Sequence, residues 1–214
     1  MKKNILIIII IFLLMVAVGI YLGLKLNKSN NDSYYYTGIN GEKFAFQIVK
    51  NGNITQHVIR VHIIGTNSDK LIPLDYGPKE LEGIPLEANI NQKVLGTDLA
   101  KKFIYITQDP KLPNQTNIDS FIAVQDIAKV TGTASYSVFQ IPTRAAYTYD
   151  DNSSKFAEFI DCRYANSKIG VILLKLGNEN RIYSDNDCVI VEAKNGKDLR
   201  KTTDKLIYAL LGVF

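Results

Sequence analysis

Residues Ile5 to Leu24 read ILIIIIIFLLMVAVGIYLGL, an uninterrupted run without a charged side chain. As a helix rising about 1.5 Å per residue, the run spans roughly 30 Å, the thickness of the hydrocarbon layer of a bilayer. A helix buried in a globular core rarely goes this far without a polar side chain. A cleaved secretion signal has a shorter apolar region, about 7–15 residues, followed by a small-x-small site. Here Ala17 and Gly19 are small, but Ile20 to Leu24 continue the run beyond them. The sequence therefore predicts an uncleaved signal anchor over 5–24, with residues 1–4 as a cytoplasmic tail. Lys2 and Lys3 before the run balance Lys25 and Lys28 after it, so the positive-inside rule says little about orientation. The short leading tail favours an extracytoplasmic location for everything beyond.

Charge divides the chain at the same place. It holds 25 Lys plus Arg and 21 Asp plus Glu, a net of +4. Residues 1–28 contain four of the lysines and no acid, so the remainder is neutral. A neutral domain lacks the basic excess that drives binding to a phosphate backbone, and nucleic acid is not an expected partner. The expected partners are the bilayer, through residues 5–24, and a protein of the cell envelope.

The two cysteines, Cys162 and Cys188, form no CxxC pair. In an extracytoplasmic domain two lone cysteines are read as a disulfide. Zinc needs three or four ligands, and the remaining soft candidates are His57 and His62, which a regular strand points to opposite faces. No metal and no cofactor are expected. A Cys–His nucleophile stays open as the rival, since it needs one histidine within reach of a free thiol.

The chain beyond the anchor reads as a linker over 25–33 and one mixed α/β domain over 34–214. Asn40-Gly41 and Asn51-Gly52 signal hairpins. They predict a β-meander of strands 34–38, 43–50 and 54–65, in which Ile59, Val61 and Ile63 share one face. Tyr34, Tyr35 and Tyr36 are assigned to the first strand, the other reading being an aromatic belt at the headgroups. Residues 66–98 look irregular, and the prolines at 73 and 85 suit edge strands or loops. A strand over "KFIYIT" is followed by a turn-rich loop. A helix over 121–131 comes next, capped by Asp119 or Ser120 and stopped by Gly132. A strand over "SYSVFQI" then completes a βαβ-like unit. Further strands are expected at 170–176 and 188–193. An amphipathic C-terminal helix packs on the sheet, with Asn195 as its cap, Leu199, Thr203, Leu206 and Leu210 as its stripe, and Gly212 as its stop. Leu211, Val213 and Phe214 are expected to fold back on the core.

Signatures of chemistry are sparse: there is no phosphate loop, dinucleotide fingerprint, nucleophile elbow or HExxH motif. Ligands of open α/β sheets favour the carboxyl ends of strands. That rule singles out Asp109 after one strand and Arg144 after the next as a candidate ligand-binding pair, or as a plain salt bridge between loops. The acidic stretch 149–154 reads as a solvated loop. Sequons occur at Asn27, Asn31, Asn53, Asn114 and Asn152. Asn27 is too near the anchor; the other four are candidate glycan acceptors. The function these features favour is a membrane-anchored, non-catalytic extracytoplasmic domain for envelope assembly or protein–protein contact. The alternative is an anchored hydrolase or transferase using Asp109, Arg144 or Cys162.

Overall fold

The computed structural model describes residues 32–135, 137–150 and 158–214. The anchor at 5–24 and the sequons at Asn27, Asn31 and Asn152 lie outside the described residues. Among the described residues no helix is long and apolar enough to cross a membrane.

The first sheet is an antiparallel meander of β1 (Asp32–Thr37), β2 (Lys43–Asn51), β3 (Ile54–His62) and β4 (Asp69–Leu74), in that spatial order. β1 begins two residues inside the expected linker. In the β2–β3 hairpin Asn51 pairs with Ile54, so the loop consists of Gly52 and Asn53. Gly52 takes φ +58, the left-handed geometry a primed turn demands at its first position. β4 lies within 66–98, the stretch that looks irregular in sequence, and takes the edge-strand alternative for Pro73 over the loop. The structure shows why the proline is tolerated: β4 is an edge strand.

Four short elements follow: α1 (Pro78–Leu81), α2 (Ile90–Leu95) and the single-turn helices Thr97–Leu99 and, further on, Cys162–Tyr164. The second sheet comprises β5 (Phe103–Gln108), β6 (Thr143–Tyr147), β7 (Ile169–Leu176), β8 (Arg181–Asp185) and β9 (Cys188–Ala193), ordered β6-β5-β7-β9-β8. All its pairings are parallel except β8 with β9. β7 and β9 are nearly continuous apolar runs, as strands covered on both faces must be.

The helix between β5 and β6, α3, spans Asn114–Thr131 and starts seven residues before the expected Phe121. Its early buried positions are Thr116 and Ser120, so an apolar periodicity cannot register them. Gly132 ends it, as expected. The described residues of "SYSVFQI" form no strand. The amides of Val138 and Phe139 donate to Val130 O, and that of Ile141 to Thr131 O. They satisfy carbonyls that a helix end leaves without partners. Val138, Phe139 and Ile141 fill the core, and β6 begins only after Pro142. The parallel β5–α3–β6 unit is present, one segment later than expected.

The C-terminal helix α4 (Gly196–Leu210) is buried on nearly all sides over its last three turns. Its cap is Asn195, whose side chain accepts the Asp198 amide at 2.9 Å. One apolar core joins Phe46, Ile59, Ile72 and Leu74 of the first sheet, Leu206, Ile207 and Tyr208 of α4, and Ile106, Ile172 and Val191 of the second sheet. The helices thus form a layer between two sheets. After α4 the chain closes in a Schellman turn: Gly212 N donates to Ala209 O at 3.1 Å and Val213 N to Tyr208 O at 2.9 Å. Gly212 takes φ +81. Val213 is fully buried, and the half-buried Phe214 ring meets Tyr36 and Tyr208 edge-on. The tail folds back, as its sequence suggested.

Candidate functional site

Cys162 and Cys188 are joined in a disulfide, with Cα atoms 5.2 Å apart. The bond staples the Cys162–Tyr164 turn to the first residue of β9. It packs with Ala146, Ile160 and Val171 in a small apolar cluster on the outer face of the second sheet. Neither sulfur is a thiol, so the nucleophile reading of Cys162 has no thiolate to use. Among the described residues no group of three or more His, Cys, Asp or Glu side chains is arranged to hold a metal ion.

Asp109 and Arg144 are not brought together. Asp109 follows the carboxyl end of β5, where it accepts the Lys111 amide at 2.8 Å and the Tyr149 hydroxyl at 3.0 Å. Arg144 is the second residue of β6, paired in register with Tyr105. Its guanidinium donates to Glu158 at 2.6 Å and lies over the Phe103 ring. The two positions are four residues apart along the strands, roughly 13 Å. The expected proximity relied on "SYSVFQI" as the strand, which would have put Arg144 after it instead of inside the next one. The groups actually gathered at this end of β5 serve packing: Thr107 donates to Ile160 O at 2.6 Å, and Gln108 accepts from Ser120.

Two polar clusters escaped the sequence reading. In the first, the Tyr34 hydroxyl lies 2.8 Å from His57 Nδ1 and His57 Nε2 lies 3.4 Å from Glu80. Burial, reinforced by the charge of Glu80, raises the Tyr34 pKa to about 12. Burial lowers that of His57, against an opposing pull from Glu80. At neutral pH a protonated Tyr34 therefore donates to a neutral imidazole whose Nε2–H faces the carboxylate. The same Glu80 carboxylate accepts the Gly77 amide at 2.8 Å. The chain of contacts braces β1 and β3 to the start of α1. In the second cluster, Glu192 on β9 is flanked by Lys175 at 3.5 Å, Arg181 at 3.2 Å and the Tyr183 hydroxyl at 2.9 Å. Burial pushes its pKa up. The hydrogen bonds from Tyr183 and Arg181 and the charges of Lys175 and Arg181 outweigh that and bring it to about 2. This network ties β7, β8 and β9 together.

Among the described residues no strand pairs with the outer edge of β4. Ile63 N donates to Ser68 O, which sets the ladder's alternation: Lys70, Ile72 and Leu74 bond toward β3, while Asp69, Leu71 and Pro73 turn their backbone groups outward. Pro73, which has no N–H, sits where a donor would face away from the sheet. Beside this edge runs a groove of about 380 Å³, walled by residues 70–74 and floored by Asp126 and Lys129 of α3. Leu71 is 47% exposed on its rim. An unpaired strand edge beside a groove of this kind suits an extended chain, which would bond to the strand and drop alternate side chains into the groove.

Compared with protein-family models, with curated proteins and with solved structures, the chain finds no match.

Proposed function

We propose that the chain is a single-pass, membrane-anchored protein whose folded part lies outside the cytoplasm and works by protein–protein contact in the cell envelope. The uncharged run over 5–24 supports the anchor. The Cys162–Cys188 bond supports the location, because disulfides persist in oxidising compartments. The observation that carries the binding reading is the β4 edge, unpaired among the described residues, with its groove. Its occupant in this reading is an extended segment of a partner protein, added as a fifth strand to the first sheet. Leu71 O, Leu71 N–H and Pro73 O are among the backbone groups it would meet. Asn53, in the hairpin loop, and Asn114, in the first turn of α3, are exposed and are the described positions at which a glycan would be accepted.

The test is topological. Intact cells are treated with a membrane-impermeant amine reagent, and the thiols are alkylated with and without reductant. The proposal expects labelling before lysis and cysteine alkylation only after reduction. Labelling only after lysis, or free thiols without reductant, would overturn it.

A further inference from the structure

Among the described residues five non-glycine positions have positive φ: Asn89, Asp98, Leu99, Gln140 and Asn186. All but Gln140 line, or stand beside a residue that lines, one hollow of about 500 Å³. Leu99, at φ +59, is the least expected of them, because a bulky side chain clashes with its own backbone there. Backbone held in sparsely populated conformations gathers where a fold builds a ligand site.

The hollow opens at the amino ends of β5, β7 and β9, beneath α2. Its charged residues are Lys93, Lys101 and Asp187, and Thr97 and Ser167 contribute hydroxyls. Lys93 is already neutralised, with Glu87 at 3.5 Å and Asn186 O at 2.8 Å. Lys101 is different. It is 6% exposed, and its ammonium donates to the carbonyls of Asn166 and Ile169. Carbonyl dipoles orient a cation but do not cancel its charge. Among the described residues no carboxylate forms an ion pair with it; Asp187 acts on it only through space, raising a pKa that burial lowers. A nearly buried cation whose opposing carboxylate reaches it only through space is costly unless an anion joins it.

We propose that this hollow binds a small oxyanion, a phosphate or carboxylate group, with Lys101 as its charged partner and the hydroxyls of Thr97 and Ser167 as further donors. The site is independent of the β4 edge and of the side of the membrane on which the domain lies.

The test uses the full chain in maltoside micelles, isotopically labelled for NMR. Inorganic phosphate is titrated against sodium chloride at matched ionic strength. Saturable shifts of the Gly96, Thr97 and Ser167 amides are expected with phosphate and not with chloride. Lys101→Met should weaken binding at least tenfold, and Lys50→Met, on the exposed face of β2, should leave it unchanged. Shifts that do not saturate, that chloride reproduces, or that centre elsewhere would overturn the proposal, as would a folded Lys101→Met that binds like wild type. If Lys101→Met does not fold, the wild-type shift map decides alone. Displacement of phosphate by short-chain phosphatidic acid in the micelles would assign the anion to a lipid headgroup; its absence would assign it to a free ligand.

Discussion

Asp204, in the interior of α4, accepts the backbone N–H of Tyr76 at 3.0 Å through the same oxygen that accepts the Asp75 amide. The Tyr208 hydroxyl, one turn on, returns a bond to Tyr76 O at 3.0 Å. The chain leaving β4 is thereby fastened to the central helix by groups more than a hundred residues away. Asp204 is almost fully buried. Burial raises its pKa well above the usual carboxylate range, the neighbouring charges of Asp75 and Asp126 add to this, and the two amides oppose it.

Asp204→Asn keeps an oxygen for both amides and removes the buried charge. A carboxyl whose pKa is raised on folding loses stability as pH climbs from its unfolded value toward its folded one. The Asn variant should therefore match or exceed wild type at pH 7, with the advantage shrinking as pH falls from the raised folded value toward about 4 and absent below it. Asp204→Ala, which strands two amides, should cost about 3 kcal/mol. Urea unfolding at several pH values reads both.

Lys205 is 4% exposed, with its ammonium against the Phe214 ring. Burial lowers its pKa to about 8, partly countered by the charge of Glu82. Because the unfolded chain holds this proton more tightly, wild-type stability should rise between about pH 8 and 10. Above that it should fall, as the buried Tyr34 hydroxyl resists ionisation. Lys205→Met should be more stable at pH 7 by about 2 kcal/mol and lack the rise. A denaturation series from pH 7 to 11 distinguishes the two profiles.

A variant ending at Gly212 deletes the fully buried Val213 and the Phe214 ring. It also opens the bond from Val213 N to Tyr208 O. The expected loss is about 3 kcal/mol. Unchanged stability would show that the tail does not serve the core.

Reduction, or Cys162→Ala with Cys188→Ala, removes a link spanning 26 positions of sequence. The chain-entropy account puts the loss at about 3.5 kcal/mol. Mass spectrometry of a non-reduced digest should find the cross-linked peptide first.

A photo-crosslinking side chain at Leu71 should capture a partner in cells, and Pro73→Lys should reduce capture with less than about 0.5 kcal/mol effect on stability. Equal capture from Tyr35, 75% exposed on the opposite edge of the sheet, would sink the β4 assignment.

Much of the architecture is written in short-range chemistry. Gly52 and Gly212 mark reversals that need left-handed backbone. Asn195 caps the helix it precedes, and the apolar runs of β7 and β9 announce strands covered on both faces. The disulfide was legible because two cysteines admit one intramolecular pairing. Each of these features acts within a few residues or by simple elimination. Tertiary structure decided the rest. "SYSVFQI" has a strand's composition, yet the amides of Val138, Phe139 and Ile141 are claimed by the end of α3. Arg144 consequently enters β6 instead of following a strand. Pro73 hides a strand until its place at the edge is known. Tyr34, His57 and Glu80 meet, and Asp204 reaches Tyr76, because packed layers bring distant segments within hydrogen-bond range. Side-chain spacing along the chain carries no record of that proximity. It arises when burying a common core closes long loops, and only then do the polar groups caught inside find their partners.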